Sequence, residues 1–214
     1  MPKISEAQRQ ARRDQIAQAA VEQFAARGIH STSMANIIDA SGLSSGAIYT
    51  HFSGKDEIIA YVARTTVSGV FSGLEGVLDS DPLPSPEHLM TLITERITQT
   101  DVPTGFIVQV WAEAVTNPIV RGAANEVYAG AFEFFREYTA LWLSTGGGLD
   151  PRQARAQAPR QARLMISLIY AHILQTPLID SHNTGDFIND TADLFRLFTD
   201  EGVGCLLYTS LMAR

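Results

Sequence analysis

A chain of 214 residues with 45% apolar content has room for one large domain, or a small one fused to a larger, and its composition excludes a disordered protein. The single cysteine, Cys205, excludes an internal disulfide framework or a thiolate metal cage within one chain, and fits a reducing cytoplasm. The net charge of −7 is unevenly divided: residues 1–64 carry +1 and the remainder −8, and both lysines, Lys3 and Lys55, lie in the first segment, which hints that this segment meets an anion.

Met1-Pro2-Lys3 opens the chain without an apolar signal region, and Arg9, Arg12 and Arg13 follow as a basic cluster. Ile16, Ala19, Ala20 and Phe24 step by three and four, predicting a first helix closed by Gly28. Met34, Ile37 and Ile38 repeat the pattern over a shorter helix, with Thr32 or Ser33 placed to cap it. A third short helix is expected from Ser44. A fourth begins at Ser53, where SGKDE offers a capping serine with Asp56 three residues on, and runs toward Leu78. These signals divide the chain into an amino-terminal domain over 1–53, a connecting helix over 54–79 and a second domain over 80–201. DSDPLPSPEH forms the joint, and Ser85-Pro86-Glu87 reads as a cap, a first-turn proline and an acid that start the next helix.

Asp101 to Gly105 and Asn117-Pro118 punctuate further helices. After Pro118, the residues Val120, Ala124, Val127, Ala131, Phe134, Tyr138 and Leu141 form a predicted core stripe, ended by Gly146 to Gly148. Asp150-Pro151 caps the next helix, which Pro159 is expected to kink or interrupt. Phe187, Ile188, Thr191, Leu194, Phe195 and Phe198 stripe a last one. The longest apolar run, LMISLIYAHILQTPLI from Leu164, contains His172, Gln175 and Pro177 and is short for a bilayer span, so a soluble, cytoplasmic protein is expected. No stretch alternates with the period of a strand, and no segment repeats. The expected class is all-α with about nine helices.

Gly42 to Gly46, GLSSG, matches the G-x-S-x-G nucleophile elbow of serine hydrolases. An elbow needs a strand before its serine, yet SMANIIDAS has helical spacing. An acid and a histidine follow in the required order, for instance Asp150 and His172, but any chain of this length offers such a pair. Read instead as a turn between helices, each residue has a role. Gly42 supplies a positive φ, Leu43 turns inward, and Ser44 caps a helix whose Ile48 and Phe52 face the core. The opposite face presents Ser45, Gly46, Tyr49 and Thr50, and the small residues at 45 to 47 allow close approach to a groove.

The stretch from Arg12 to Val62 resembles the DNA-binding domain of the tetracycline-repressor (TetR) family of bacterial regulators. The matching positions are Phe24, Gly28, Thr32, Ser33, Ile37, Ala40, Gly42, Ser44, Gly46, Tyr49, His51, Phe52 and Lys55. The resemblance implies a three-helix helix-turn-helix domain and a long fourth helix. It also implies a helical second domain that binds a small-molecule effector and forms a homodimer on an inverted-repeat operator in duplex DNA. By the same resemblance Tyr49, His51 and Lys55 would hold phosphates, Ser45, Ala47 and Thr50 would face bases, and Thr32, Ser33, Ser44 and Gly46 would complete the DNA-binding surface. Ser45 stands where many relatives carry lysine or arginine, so base readout here would rest on short contacts, water and DNA shape.

In the acidic segment, Tyr128, Phe132, Phe135 and Trp142, together with Phe106 and Trp111, are candidate effector-lining residues. Leu164, Leu168, Ala171 and Leu174, with Leu194 and Phe198, are candidate dimer-interface residues because their helices are apolar on nearly every side. No cofactor is implied. The expected function is a repressor released from its operator by an effector, with a ligand-free helical DNA-binding protein as the alternative and a serine hydrolase as a remote one. The last residues, GVGCLLYTSLMAR, lose the helical stripe, and 202–214 resemble adapter-derived rather than native sequence.

Overall fold

The computed structural model describes residues 5–74 and 76–199. Among these residues it contains nine helices and no strand: α1 (Glu6–Arg27), α2 (Met34–Ser41), α3 (Ser45–Tyr49), α4 (Lys55–Ser72), α5 (Pro86–Gln99), α6 (Thr104–Thr116), α7 (Pro118–Thr145), α8 (Pro151–Leu178) and α9 (Thr184–Thr199). The chain packs into two compact units that do not follow its linear order. One takes the chain up to Phe71 together with Thr100–Gly130, and the other takes Ser72–Gln99 and the chain from Ala131 onward. The residues of 202–214 lie outside the described part.

Local chemistry explains the ends of α1 and α2 and the start of α4 in the first unit. Ser5 and Gln8 cap α1 reciprocally, and Gly28, at φ 80°, ends it with its amide on the Phe24 carbonyl. Ser33 and Asn36 form the same reciprocal cap on α2, and Gly42 leaves that helix in the left-handed region at φ 68°. At α4 the cap differs from the expected one. Glu57, not Asp56, accepts from the Ser53 amide at 2.7 Å and from its hydroxyl at 2.9 Å, because a four-residue reach brings the longer carboxylate back over the turn.

These helices close on one apolar core of Ile16, Ala20, Phe24, Ile37, Ile48, Phe52, Ile58 and Ile59, and α6 and the start of α7 add Phe106, Val110, Ala114 and Val120 to it. The first unit therefore draws part of its interior from about 80 to 90 residues beyond the end of α1. The boundaries at 53 and 79 rested on punctuation, which carries no information about this packing.

In the second unit α5, the later part of α7, α8 and α9 come together. Leu89, Met90, Ile93, Phe135, Tyr138, Ala158, Met165, Ile166 and Ile169 are buried. The Tyr138 hydroxyl donates to the Pro84 carbonyl at 2.7 Å, and Thr139 donates to Ala158 at 3.2 Å. As expected, Ser85 precedes α5 and its hydroxyl accepts from the His88 amide at 3.4 Å, while Asp150 accepts from the Arg152 amide at 2.7 Å.

Three expectations are corrected. Helix α4 stops at Ser72 instead of reaching Leu78. Glycines at 69, 73 and 76 weaken a continuation, and the Gly73 carbonyl accepts instead from Arg96 Nη2 at 3.0 Å. Helix α8 runs unbroken through Pro159, because Ala154, Ala158 and Ala162 bury one continuous face that offsets the single lost backbone bond. On α7 the buried stripe is Val120 and Ala123, then Phe135, Tyr138 and Thr139, while Leu141 of the predicted stripe is exposed. Two adjacent helical rows were both apolar there, and spacing alone does not choose between them.

Candidate nucleic-acid interface

Helix α3 is a single turn of five residues. Its amino end is held by Ser44, whose hydroxyl accepts from the Ala47 amide at 3.2 Å, and its inner face by Ile48 and Phe52, both essentially inaccessible. What remains outside is Ser45, Gly46, Tyr49 and Thr50, with Ala47 half-buried beside them. Tyr49 is 51% exposed, an unusual position for a ring that the fold leaves without apolar cover. A Cβ added at Gly46 would meet no atom within 4 Å. Ser33 is also exposed, at the start of α2, and His51 is half-buried just beyond α3. The elbow reading lacks its geometry, since Ser44 follows helix α2 and spends its hydroxyl on capping α3.

Thr32 and Lys55 are placed differently from expectation. Thr32 is 1% exposed, and its hydroxyl donates to the Gly28 carbonyl at 2.8 Å and to the Gln23 carbonyl at 3.2 Å, so its side chain faces inward. Lys55 Nζ donates to the Ile29 carbonyl at 2.8 Å and to the Thr32 carbonyl at 3.0 Å. The loop between α1 and α2 leaves these carbonyls without helical partners, and the ammonium group at the start of α4 satisfies them. In this structure the lysine pins the loop that launches α2 rather than pointing free into solvent.

Several residues that spacing did not single out complete the site. Gln109 on α6 accepts from the Ile29 amide at 2.8 Å, so both backbone groups of Ile29 are held from outside their own loop. His30 Nε2 lies 3.6 Å from the Glu113 carboxylate. The Arg13 guanidinium carbon sits 4.5 Å from the ring centres of both Phe52 and Tyr61, and the group donates to the His51 carbonyl at 3.2 Å. The Tyr61 hydroxyl donates to Asp14 at 2.6 Å and receives the Gln10 amide, and burial, followed by Asp14, raises its pKa. The bond from the Ser53 amide holds the Glu57 carboxyl below its ordinary range, with Arg13 contributing. The arginine cluster at 9 to 13 was the visible signal, but spacing does not tell its solvated members from its packed one.

The candidate effector residues are not gathered in one place by either unit. In the first, Phe106 is 2% exposed and stacks on Phe24 at 5.4 Å, Trp111 is half-buried and Tyr128 is exposed. In the second, Phe135 is fully buried against Phe134, Phe132 is half-buried, and Trp142 lies against Gly146, where an added Cβ would sit 3.3 Å from its ring. A cavity of about 610 Å³ in the second unit is lined by Gly73, Val77, Ser80, Pro82, Ser85 and His88 among others, and by none of the six aromatics.

Of the candidate dimer residues, Leu164 and Leu174 are 46% and 44% exposed, and Leu168 and Ala171 are half-buried. Leu178 and Ile179 prolong that exposed strip and went unnoticed in the sequence. The side chains of Leu194 and Phe198 lie outside the described part. Among the described residues no three His, Cys, Asp or Glu side chains gather as a metal site, and no helix is long and apolar enough to cross a membrane.

Comparison with known proteins bears on the same segment. Residues 16–62 match the family model for bacterial regulatory proteins of the tetR family. The HTH-type transcriptional repressor KstR2 of Mycolicibacterium smegmatis is 34% identical over 73 residues, which is 34% of this chain and 36% of that one. KstR2 of Rhodococcus jostii is 27% identical over 132 residues, 62% of each chain. The chain thus aligns with between about a third and two thirds of these relatives' length. Among solved structures, Salmonella enterica GusR is similar with a TM-score of 0.72 at 22% identity, covering 92% of this chain and 99% of that one, a likeness of fold.

Proposed function

We propose that the chain is a DNA-binding transcriptional repressor of the tetR family of bacterial regulatory proteins, whose model matches residues 16–62, and that it acts as a homodimer. The single observation that carries this reading is α3. It is a short helix whose inner face is buried and whose outer face, Ser45, Gly46, Tyr49 and Thr50, is exposed and hydroxyl-rich, with Thr50 alone of these donating its hydroxyl back to the Ala47 carbonyl at 2.6 Å. Such a face reaches base edges and phosphates by close approach. Ser33, Ala47 and His51 flank it, and Lys55 supports it from behind through the α1–α2 loop.

The exposed strip of Leu164, Leu174 and Leu178 on α8 supplies the dimer contact, because a second copy would cover apolar surface that otherwise faces water. Two α3 helices about 34 to 36 Å apart, or a multiple of that, would then read an inverted repeat. A small-molecule effector bound in the second unit would release the complex. Operator and effector would each weaken the other's binding by the same factor, typically about 5- to 150-fold.

The test is selection of duplex DNA from a random pool by the purified protein, followed by footprinting of the recovered sequence. An inverted repeat protected by a dimer is expected. A protein that enriches no sequence, or binds DNA only as a monomer, overturns the proposal.

A further inference from the structure

We propose that Arg13 is a positioning residue for sequence reading: it fixes the carboxyl end of α3 and leaves the phosphates to other groups. The inference rests on the reading of α3 as the DNA-reading helix, and it concerns how so short a helix holds a defined aim.

Five residues make one turn, and an isolated turn of helix is unstable in water, so α3 depends on what grips its two ends. Ser44 grips the amino end through the Ala47 amide. At the other end the chain leaves the helix through Thr50 and His51, and the His51 carbonyl is accounted for by Arg13 Nη1 at 3.2 Å. That donor does not swing freely. Its guanidinium carbon sits in a corner 4.5 Å from the centres of both Phe52 and Tyr61, rings that themselves meet edge to face at 5.4 Å. Tyr61 is in turn tethered by its hydroxyl to Asp14, one residue from Arg13, and by Gln10 one turn earlier. A chain of contacts thus runs from α1 through Arg13 to the last carbonyl of the reading segment, with α4 supplying one wall.

The charge of Arg13 is also met inside the fold. Asp14 lies beside Tyr61, and Glu57, whose carboxyl is held on the Ser53 amide and hydroxyl, is within electrostatic reach of the guanidinium. A cation packed into the corner of two rings, bonded to a backbone carbonyl and within electrostatic reach of Glu57, is poorly placed to release counterions from DNA. It is well placed to orient a carbonyl.

The two roles separate experimentally, because phosphate contacts act on all sequences and on the salt slope, whereas aim acts on sequence preference. The probes are the duplex enriched by the wild-type protein and a scrambled duplex of the same composition, each titrated at several salt concentrations. Arg13→Lys keeps the charge and removes the planar guanidinium. It is expected to weaken binding to the enriched duplex about tenfold or more, while affinity for the scrambled duplex and the salt slope stay unchanged.

Tyr61→Leu removes one of the two rings beside the guanidinium without altering Arg13 itself and is expected to shift the same ratio. Both variants are compared with wild type well below their melting temperatures, so that a loss of folded protein would appear equally on both duplexes. Retention of the wild-type preference by both variants overturns the inference. So does an equal loss on both duplexes, with or without a salt slope reduced by about one. If wild-type protein enriches no sequence at all, the underlying reading of α3 fails first, and that result is seen before any variant is made.

Discussion

In the first unit, Lys55, Gln109 and Arg13 each spend a side-chain polar group on a backbone atom of the loops around α2 and α3, and Ile37 and Ile48 of those helices are buried. In the second unit, His172 is wholly buried with Nδ1 3.1 Å from His182 Nε2. Its own Nε2 is the one buried side-chain nitrogen or oxygen without a partner among the described residues. On the same helix Leu164, Leu174 and Leu178 face outward. The contrast separates two demands. A reading surface needs its loops fixed to fractions of an ångström, so long polar side chains are used as struts, whereas a surface that receives a second chain keeps apolar area in reserve.

The sharpest way to break the first half of that comparison is through its apolar floor. Phe52→Ala removes a ring that is 1% exposed, packs against Tyr61 and lies 4.5 Å from the Arg13 guanidinium carbon. A loss of about 3 to 5 kcal/mol is expected in chemical denaturation, with sequence-specific DNA binding abolished at moderate temperature.

Acid should strike the second unit. Burial, then the neighbouring His182, lowers the His172 pKa to about 4. Below the ordinary histidine value near 6.5 the unfolded chain therefore takes up a proton that the folded one refuses. Stability should be flat above that pH and fall as pH drops from about 6.5 to about 4, by roughly 3 kcal/mol at most. Denaturation curves at a series of pH values would show the slope, and His172→Leu should flatten it. An unchanged slope in that variant would assign the acid response elsewhere.

Leu174→Asp places a charge in the exposed strip of α8. It is expected to convert a dimer to monomers in sedimentation at micromolar concentration while leaving the helical content intact, because the leucine is 44% exposed within one chain. A variant that stays dimeric would move the interface off this face. The smallest of these effects concerns Thr32→Val, which removes the hydroxyl bonded to Gly28 and Gln23. About 1 kcal/mol is expected, with no change in the salt dependence of DNA binding, since the side chain faces inward.

Most of the first unit was legible because its signals are local. Ser33, Gly42 and Ser44 act on neighbours within three residues, and the spacing of Ile16, Ala20, Phe24, Ile48 and Phe52 reports one face directly. What the sequence left open has a different cause. The resemblance places Lys55 and Thr32 at the DNA-binding surface, and it transfers a residue's position but not the direction of its side chain. Gln109 acts across 80 residues of sequence and Arg13 across 38, and no periodicity links such pairs. The row choice on α7 failed because Phe134 and Phe135 are equally apolar, and only packing selects the second. Phe106 was read as an effector contact for its aromatic character, the property that suits it to stack on Phe24.

Gly46 carries a consequence for anyone improving this protein. It sits inside α3 with nothing within 4 Å of where a Cβ would stand, and it is not among the positive-φ glycines, so the fold itself gives no reason to refuse alanine. Helix propensity alone would make Gly46→Ala more heat-resistant by up to about 1 kcal/mol. On the proposed function, the added methyl would stand between the reading helix and its groove. A campaign that ranks variants by melting temperature would therefore accept alanine at 46 early and discard DNA binding without registering a loss, whereas a screen scored on operator occupancy would restore glycine at the same position.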